Sequence, residues 1–198
     1  MPPAASEAKV AVGGYYVRLA RPDDLAQARA IMLRTFEEDF GYGYRPDYHA
    51  DVDDLRGTYL DNPRHALFVA ADDASGQVVA TAAIRSGGLK PQFNPAWLVE
   101  RYNPERTAQI VRVYVANEHR RRGIAQALVS AVCQFVADEG SYERIALHTD
   151  PRSPGAARFW TAQPTTLIHD DRDGPSGSIH FEMNIPSPTP QAERRPLA

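Results

Sequence analysis

The stretch from Gln109 to Glu139, QIVRVYVANEHRRRGIAQALVSAVCQFVADE, is what most constrains the fold of this chain. Ile110, Val111, Val113, Tyr114 and Val115 are apolar at nearly every position, the pattern of a strand covered on both faces, and only Arg112 interrupts it. A short polar turn, 116–119, leads to Arg120, Arg121, Arg122 and Gly123. Beyond it Ile124, Leu128, Val132, Phe135 and Val136 trace one helical stripe. A buried strand therefore feeds an amphipathic helix through a basic turn.

The arginines stand at the wrong end of that helix for their charge. A helix N-terminus already presents unpaired N–H groups and partial positive charge, so each cation there is unfavourable by about 0.3 kcal/mol or more. An anion reverses the sign, because it meets free N–H groups, the helix dipole and a guanidinium together. Gly123 and Ala125 keep bulky side chains out of the way of a close approach.

In these residues the sequence resembles the GCN5-related N-acetyltransferases. Arg120-x-x-Gly123-x-Ala125 matches the family's Arg/Gln-x-x-Gly-x-Gly/Ala signature, and Val113, Tyr114 and Val115 look like the strand leading into it. The resemblance implies an α/β fold: a mixed, mostly antiparallel central sheet with one parallel strand pair around a strand-loop-helix coenzyme A site. It implies that Arg120, Arg121, Arg122, Gly123, Ile124 and Ala125 hold the pyrophosphate of acetyl-CoA. Main-chain groups of Val113, Tyr114 and Val115 would then bind the pantetheine arm and the thioester oxygen, an oxyanion-hole type of contribution.

The segment SPGAARFWTA corresponds to the family's Asn-x-x-Ala-x-x-Phe-Tyr, which lies near the coenzyme thiol. Ser153 takes the Asn place, Ala156 the Ala place, Phe159 the Phe place and Trp160 the Tyr place. Trp160 departs from the pattern: the family often uses that Tyr to protonate the departing thiolate, and an indole N–H is no proton source near neutral pH. A thiol of pKa about 8.5 is a tolerable leaving group without full protonation, and Tyr114 or a loop tyrosine is an alternative acid. His148 and Asp150, at the end of the following strand, are candidate bases. A structural hydrogen bond at a strand end is an equal reading of His148, and deprotonation through water is a third.

Composition narrows the rest. The 198 residues suit one domain, and 22 Lys plus Arg against 25 Asp plus Glu leave a net charge of −3, with no basic field for nucleic acid or an anionic membrane. Cys133 is the chain's one cysteine, so no intrachain disulfide forms, and a reducing cytoplasm is the expected location. No secretory h-region or membrane-length apolar run is present. The six histidines are scattered without metal-ligand spacing, so no metal is expected.

Taken in order, residues 1–14 read as a flexible lead-in, 15–185 as the acetyltransferase domain, and the Pro-rich 186–198 as a disordered tail. A strand over 15–20 precedes a helix that starts near Pro22 and buries Leu25, Ala28, Ile31, Met32 and Phe36. Residues 37–54 are rich in carboxylates and aromatics. The resemblance places the acceptor pocket there, making Tyr42, Tyr44, Tyr48 and His49 candidate substrate contacts, while the acids read better as solvated helix faces. A helix is expected over 50–60, a hairpin over 66–84, and a long connection over 86–108 with a short helix near 95–102. Strands are expected at 144–150, 165–169 and 179–183. The function implied is transfer of an acetyl group from acetyl-CoA to a primary amine, on a small molecule, by a monomer or homodimer. The rivals are an inactive acyl-CoA sensor or scaffold, an enzyme acting on protein amines, and a longer acyl donor.

Overall fold

The computed structural model describes residues 9–153 and 155–190. Its strands are β1 (Val10–Val12), β2 (Tyr15–Leu19), β3 (Ala66–Asp72), β4 (Val78–Ser86), β5 (Thr107–Val115), β6 (Arg144–Thr149), β7 (Thr165–Asp170) and β8 (Ile179–Met183). The helices are α1 (Leu25–Glu38), α2 (Pro46–Asp53), α3 (Ala96–Arg101), α4 (Ile124–Glu139) and α5 (Ala156–Thr161). The strands form one sheet in the order β1-β2-β3-β4-β5-β6-β8-β7, antiparallel except for the β5–β6 pair. This is the mixed sheet with one parallel pair that the resemblance implied.

Each face of the sheet is covered, which explains why β3, β4 and β5 are nearly continuous apolar runs. On one face Ile124, Leu128, Val132 and Val136 of α4 meet Phe68, Ile84, Ile110 and Leu147. On the other, Ala28, Met32 and Phe36 of α1 meet Leu67, Val69 and Ala83. Burial of each large side chain in these layers stabilises the fold by about 1.5–3 kcal/mol. α4 ends at Gly140, whose φ of 78° lets its N–H close on Val136 O at 3.2 Å. Cys133 is one of the buried residues of α4, and burial pushes its thiol up to about 11.

Two features of the sheet position the site. β5 pairs with β6 only from Thr107↔Arg144 to Gln109↔Ala146; beyond that the two strands part, and β5 keeps β4 alone as its partner. β5 also carries a bulge, where the register with β4 slips between Thr81 and Ala83 and Arg112 takes a left-handed φ of 57°. Thr81 Oγ1 donates to Arg112 O at 2.8 Å, and the Arg112 side chain reaches Asp51 of α2, Nε to Oδ2 at 2.9 Å and Nη2 to Oδ1 at 2.5 Å. Tyr59 also donates to Asp51 Oδ2, at 2.6 Å. Burial opposes both charges, but the mutual hydrogen bonds prevail and hold the Asp51 carboxyl below its ordinary pKa and the guanidinium above.

Several boundaries differ from the sequence reading. Val10–Val12, placed in a flexible lead-in, pair with β2 as β1, which packs Val12 near Gly123. The expected helix over 50–60 is two pieces: α2 begins with Pro46 in its first turn, and Asp54 leaves helical geometry and accepts from Gly57 N at 2.8 Å before a π turn over Arg56–Leu60. Residues 186–190, expected in a disordered tail, lie along α4, where Thr189 N donates to Asp138 Oδ1 at 2.6 Å and Gln134 donates to Ser187 O at 3.2 Å. The remaining tail and the first eight residues of the lead-in lie outside the described residues.

The Arg112–Asp51 pair yields a stability prediction. Asp51→Ala leaves a buried guanidinium unpaired and is expected to cost about 3–5 kcal/mol in urea unfolding, whereas the double change with Arg112→Met recovers most of that loss. Equal losses in the single and double variants would show that the pair is not what ties α2 to β5.

Candidate active site

The basic turn leads straight into a helix start. Residues 117–119 form a single 3₁₀ turn, Arg121 adopts φ 60° and Gly123 φ 79°, and α4 starts at once. The leading N–H groups of α4 have no intrahelical acceptors, as at any helix start. The three arginines do different work. Arg120 donates from Nε to Val115 O at 2.9 Å and its guanidinium pairs with Asp39, so it ties the turn to the end of β5 and to α1. Arg122 donates to Tyr15 OH at 3.0 Å and to Glu118 O at 3.3 Å. Arg121 is exposed and has no hydrogen bond or ion pair among the described residues, which leaves its charge for a ligand.

Beside this turn lies the gap between β5 and β6. The main chain of Val113, Tyr114 and Val115 runs along it without a β6 partner, as the sequence reading required. α5 borders the β6 side. Trp160 is 7% exposed and built into the α4-side core, with Phe159 edge-on at 4.9 Å, so its indole acts as packing. Ser153 sits in the turn before α5, its N–H donating to Asp150 O at 3.1 Å.

The candidate acceptor residues separate on inspection. Tyr42 and Tyr44 are partly open to solvent and Tyr48 is half exposed. Tyr42 stacks on Phe40 at 5.4 Å, and burial of its hydroxyl, with Tyr114 nearby, pushes its pKa up to about 12. Tyr44 donates to Asp53, and the Tyr48 ring carries Lys90 Nζ at 4.5 Å. His49 differs: it is 2% exposed, stacked on Phe36 at 3.7 Å, and its Nδ1 accepts from Arg45 N at 2.9 Å. Burial and Arg112 drive its pKa down to about 4, so it is a neutral core residue beneath the acceptor loop rather than part of its surface.

Of the three candidate proton carriers, His148 has the best placement. Its ring is open to solvent yet sits deep in the cleft, with Gln109 Nε2 3.2 Å from Nδ1. Surrounding protein, then His180, Arg85 and Arg112, bring its pKa down to about 4, so the ring is neutral near pH 7. Asp150 is occupied: Arg152 donates to it from N at 2.8 Å, Nε at 2.9 Å and Nη2 at 2.7 Å, which holds the carboxyl below its ordinary pKa despite burial. Tyr114 lies edge-on to Phe36 and Phe40, and burial raises its pKa, keeping it protonated.

A groove of about 510 Å³ opens on the same face, lined in part by Asp51, Asp54, Arg85 and Gln109. Gln109 joins it to His148. Sequence reasoning did not pick out Arg85, Gln109 or Asp51 as site residues. The one signal was Arg112, a charge within a run covered on both faces, which requires a buried counter-charge.

Comparison with known proteins bears on the fold and the family. Rat N-acetyltransferase 8 is 31% identical over 112 residues, 57% of this chain and 44% of its own length. Human N-acetyltransferase 8 is 47% identical over 99 residues, 50% of this chain and 37% of the relative. The chain thus spans less than half the length of these curated relatives. Among solved structures, the GNAT domain of S. lividans PAT superposes with a TM-score of 0.65 at 20% identity, covering 92% of this chain and 99% of that one. Salmonella typhimurium yncA, a putative acetyltransferase solved with its cofactor acetyl-CoA, superposes with a TM-score of 0.62 at 15% identity, covering 88% and 95%. At these identities the structures speak to the fold. The model of the Acetyltransferase (GNAT) family matches residues 29–163, from α1 through the basic turn to α5, and the chain belongs to that family.

Proposed function

We propose that this chain transfers an acetyl group from acetyl-CoA to a primary amine carried by a small molecule. The observation that carries the reading is the continuity of the unpaired β5 edge with a helix N-terminus next to an uncommitted arginine, Arg121. A diphosphate fits that turn, and an extended arm fits an open strand edge by main-chain hydrogen bonds. The thioester so held supplies an activated acetyl carbon.

The amine nitrogen attacks that carbon, the C–S bond breaks, the sulfur leaves as thiolate, and the amine gives up one proton. Main-chain N–H groups of β5 stabilise the developing oxyanion. His148 Nδ1 is the acceptor for the proton. Its contact with Gln109 is at the long end of hydrogen bonding, so an incoming amine can replace it. The groove's size and its Asp54 carboxylate favour a compact cationic acceptor over a folded protein surface.

Two measurements test this. Calorimetric titration with acetyl-CoA is expected to show binding that weakens about tenfold in Arg121→Ala, while Arg120→Ala also weakens it by loosening the turn from Val115 and Asp39. No binding by the unaltered protein would sink the reading. With an amine found by panel, His148→Gln is expected to lower kcat by about a hundredfold. Because the pKa of His148 is depressed to about 4, its base form persists down to that pH and is lost only below it. The kcat profile should therefore show no acidic limb between pH 5 and 7; a limb near pH 6.5 would assign the base elsewhere.

A further inference from the structure

The chain has six histidines, and three of them fall on paired positions of neighbouring strands: His148 of β6 opposite His180 of β8, and His180 opposite His169 of β7. Cross-strand partners project to the same face, so the rings form a row. The His148 and His180 centroids are 5.8 Å apart and those of His180 and His169 are 6.1 Å apart. Gln109 on β5 extends the row at the cleft end, and at the other end His169 Nε2 lies 3.8 Å from Asp171 Oδ1. The row therefore crosses the sheet from the floor of the cleft to the edge strand β7.

His180 is poorly explained as a core residue. It is 2% exposed, and its Nε2 is enclosed without a hydrogen-bond partner. An apolar ring of the same shape would fill that space without leaving a polar atom unmatched. Surrounding groups do not supply a fixed charge for it either. Glu182, two residues along β8, is engaged by Arg101 at 2.6 Å and faced by Arg144 at 3.5 Å, and Arg85 and Arg112 act on His148 from the cleft side. Burial and His169 keep His180 neutral, with Asp171 opposing them, so its ring presents one bare nitrogen and one N–H.

We propose that His148, His180 and His169 form a cross-strand proton relay that carries the proton released by the acceptor amine out of the cleft to Asp171 and bulk water at the sheet edge. The relay rests on the acetyl-transfer reading for the source of its proton. One proton enters at His148 Nδ1 as another leaves from Nε2; the same exchange at His180 and His169 returns each ring to its neutral state with the opposite tautomer, and a reverse flip resets it. No direct N···N hydrogen bond joins the rings among the described residues, and the His180 and His169 rings lie stacked at 28°, so each exchange takes a ring rotation about χ2 or a bridging water. Trp97, half exposed, stands edge-on to His169 at 5.5 Å.

The test uses the full chain with His169→Gln, His169→Phe and His180→Phe. His169 is only part-buried, so its variants keep the fold even where His180→Phe does not. With an accepted amine the relay predicts a kcat about tenfold lower in the His169 variants, unchanged acetyl-CoA affinity, and a rate that climbs with imidazole buffer concentration at fixed pH, a dependence the unaltered protein lacks. A kcat within twofold of the unaltered protein and independent of buffer overturns the relay. Ring ¹⁵N NMR decides the same question without any acceptor: His169→Gln should shift the tautomer populations of His180 and His148, and unchanged shifts at both overturn the connection. Loss of acetyl-CoA binding in the unaltered protein would instead defeat the acetyl-transfer reading, leaving the NMR result to stand by itself.

Discussion

The buried pair between Arg112 and Asp51 joins the parts of this molecule that have to be held in register. Arg112 sits on the bulge of β5, where the strand bends and its neighbour β6 has already left it. Asp51 sits on α2, at the end of the acceptor loop. Their two hydrogen bonds fix the distance between the bulge of β5, beside the β5–β6 gap, and α2, beside the groove lined by Asp51 and Asp54. Arg112 also donates to Tyr48 O at 3.0 Å and lies over the Phe36 ring at 5.3 Å, so the same guanidinium secures the loop backbone and α1. A buried ion pair gives little net stability against an apolar substitute, but it gives a defined geometry because only one arrangement satisfies both charges. A left-handed φ at a non-glycine residue costs of order 1 kcal/mol and persists only where the surroundings over-determine it. Here they do, through Thr81, Asp51 and Tyr48.

The basic turn shows a similar division between holding and binding. Three adjacent arginines look interchangeable in sequence, yet their surroundings give them separate tasks. Arg120 and Arg122 are spent on Val115, Asp39, Tyr15 and the Glu118 carbonyl, so they shape the loop; of the three only Arg120 meets a carboxylate, and Arg121 has neither hydrogen bond nor ion pair among the described residues. β1 contributes to this arrangement. Its Val12 lies 3.5 Å from where a Cβ on Gly123 would be, so the N-terminal strand backs the turn that starts α4. Truncating that strand would therefore reach the basic turn, although it is far from it in sequence.

The central strand, the turn and α4 were legible because each rests on a local pattern: a run covered on both faces, a glycine with positive φ, and a stripe of apolar residues. Much of the remainder was fixed by contacts that no local pattern encodes. His49 looked like a surface histidine among tyrosines, but it lies beneath the loop because Phe36, thirteen residues earlier, offers its face to the ring. Asp51 read as one acid among seven in 37–54, and only the pairing with Arg112 across 61 residues distinguishes it. The row of histidines is invisible in sequence for the same reason. His148, His169 and His180 acquire a relation only once β8 inserts between β6 and β7, an order that reverses the chain's own.

The placement of titratable groups matches the harder of the two proton transfers in amide formation. A thiol of pKa about 8.5 leaves readily as thiolate, so a dedicated acid at the sulfur adds little. An aliphatic ammonium of pKa about 10 must lose its proton before or during attack. The α4 face, where the family's tyrosine would stand, carries Trp160 as packing and Cys133 as an inert thiol. The opposite face carries Gln109, His148, His180 and His169 in line. On the acetyl-transfer reading the demanding proton transfer is at the amine rather than at the sulfur, and the substitution at Trp160 is compatible with catalysis for that reason.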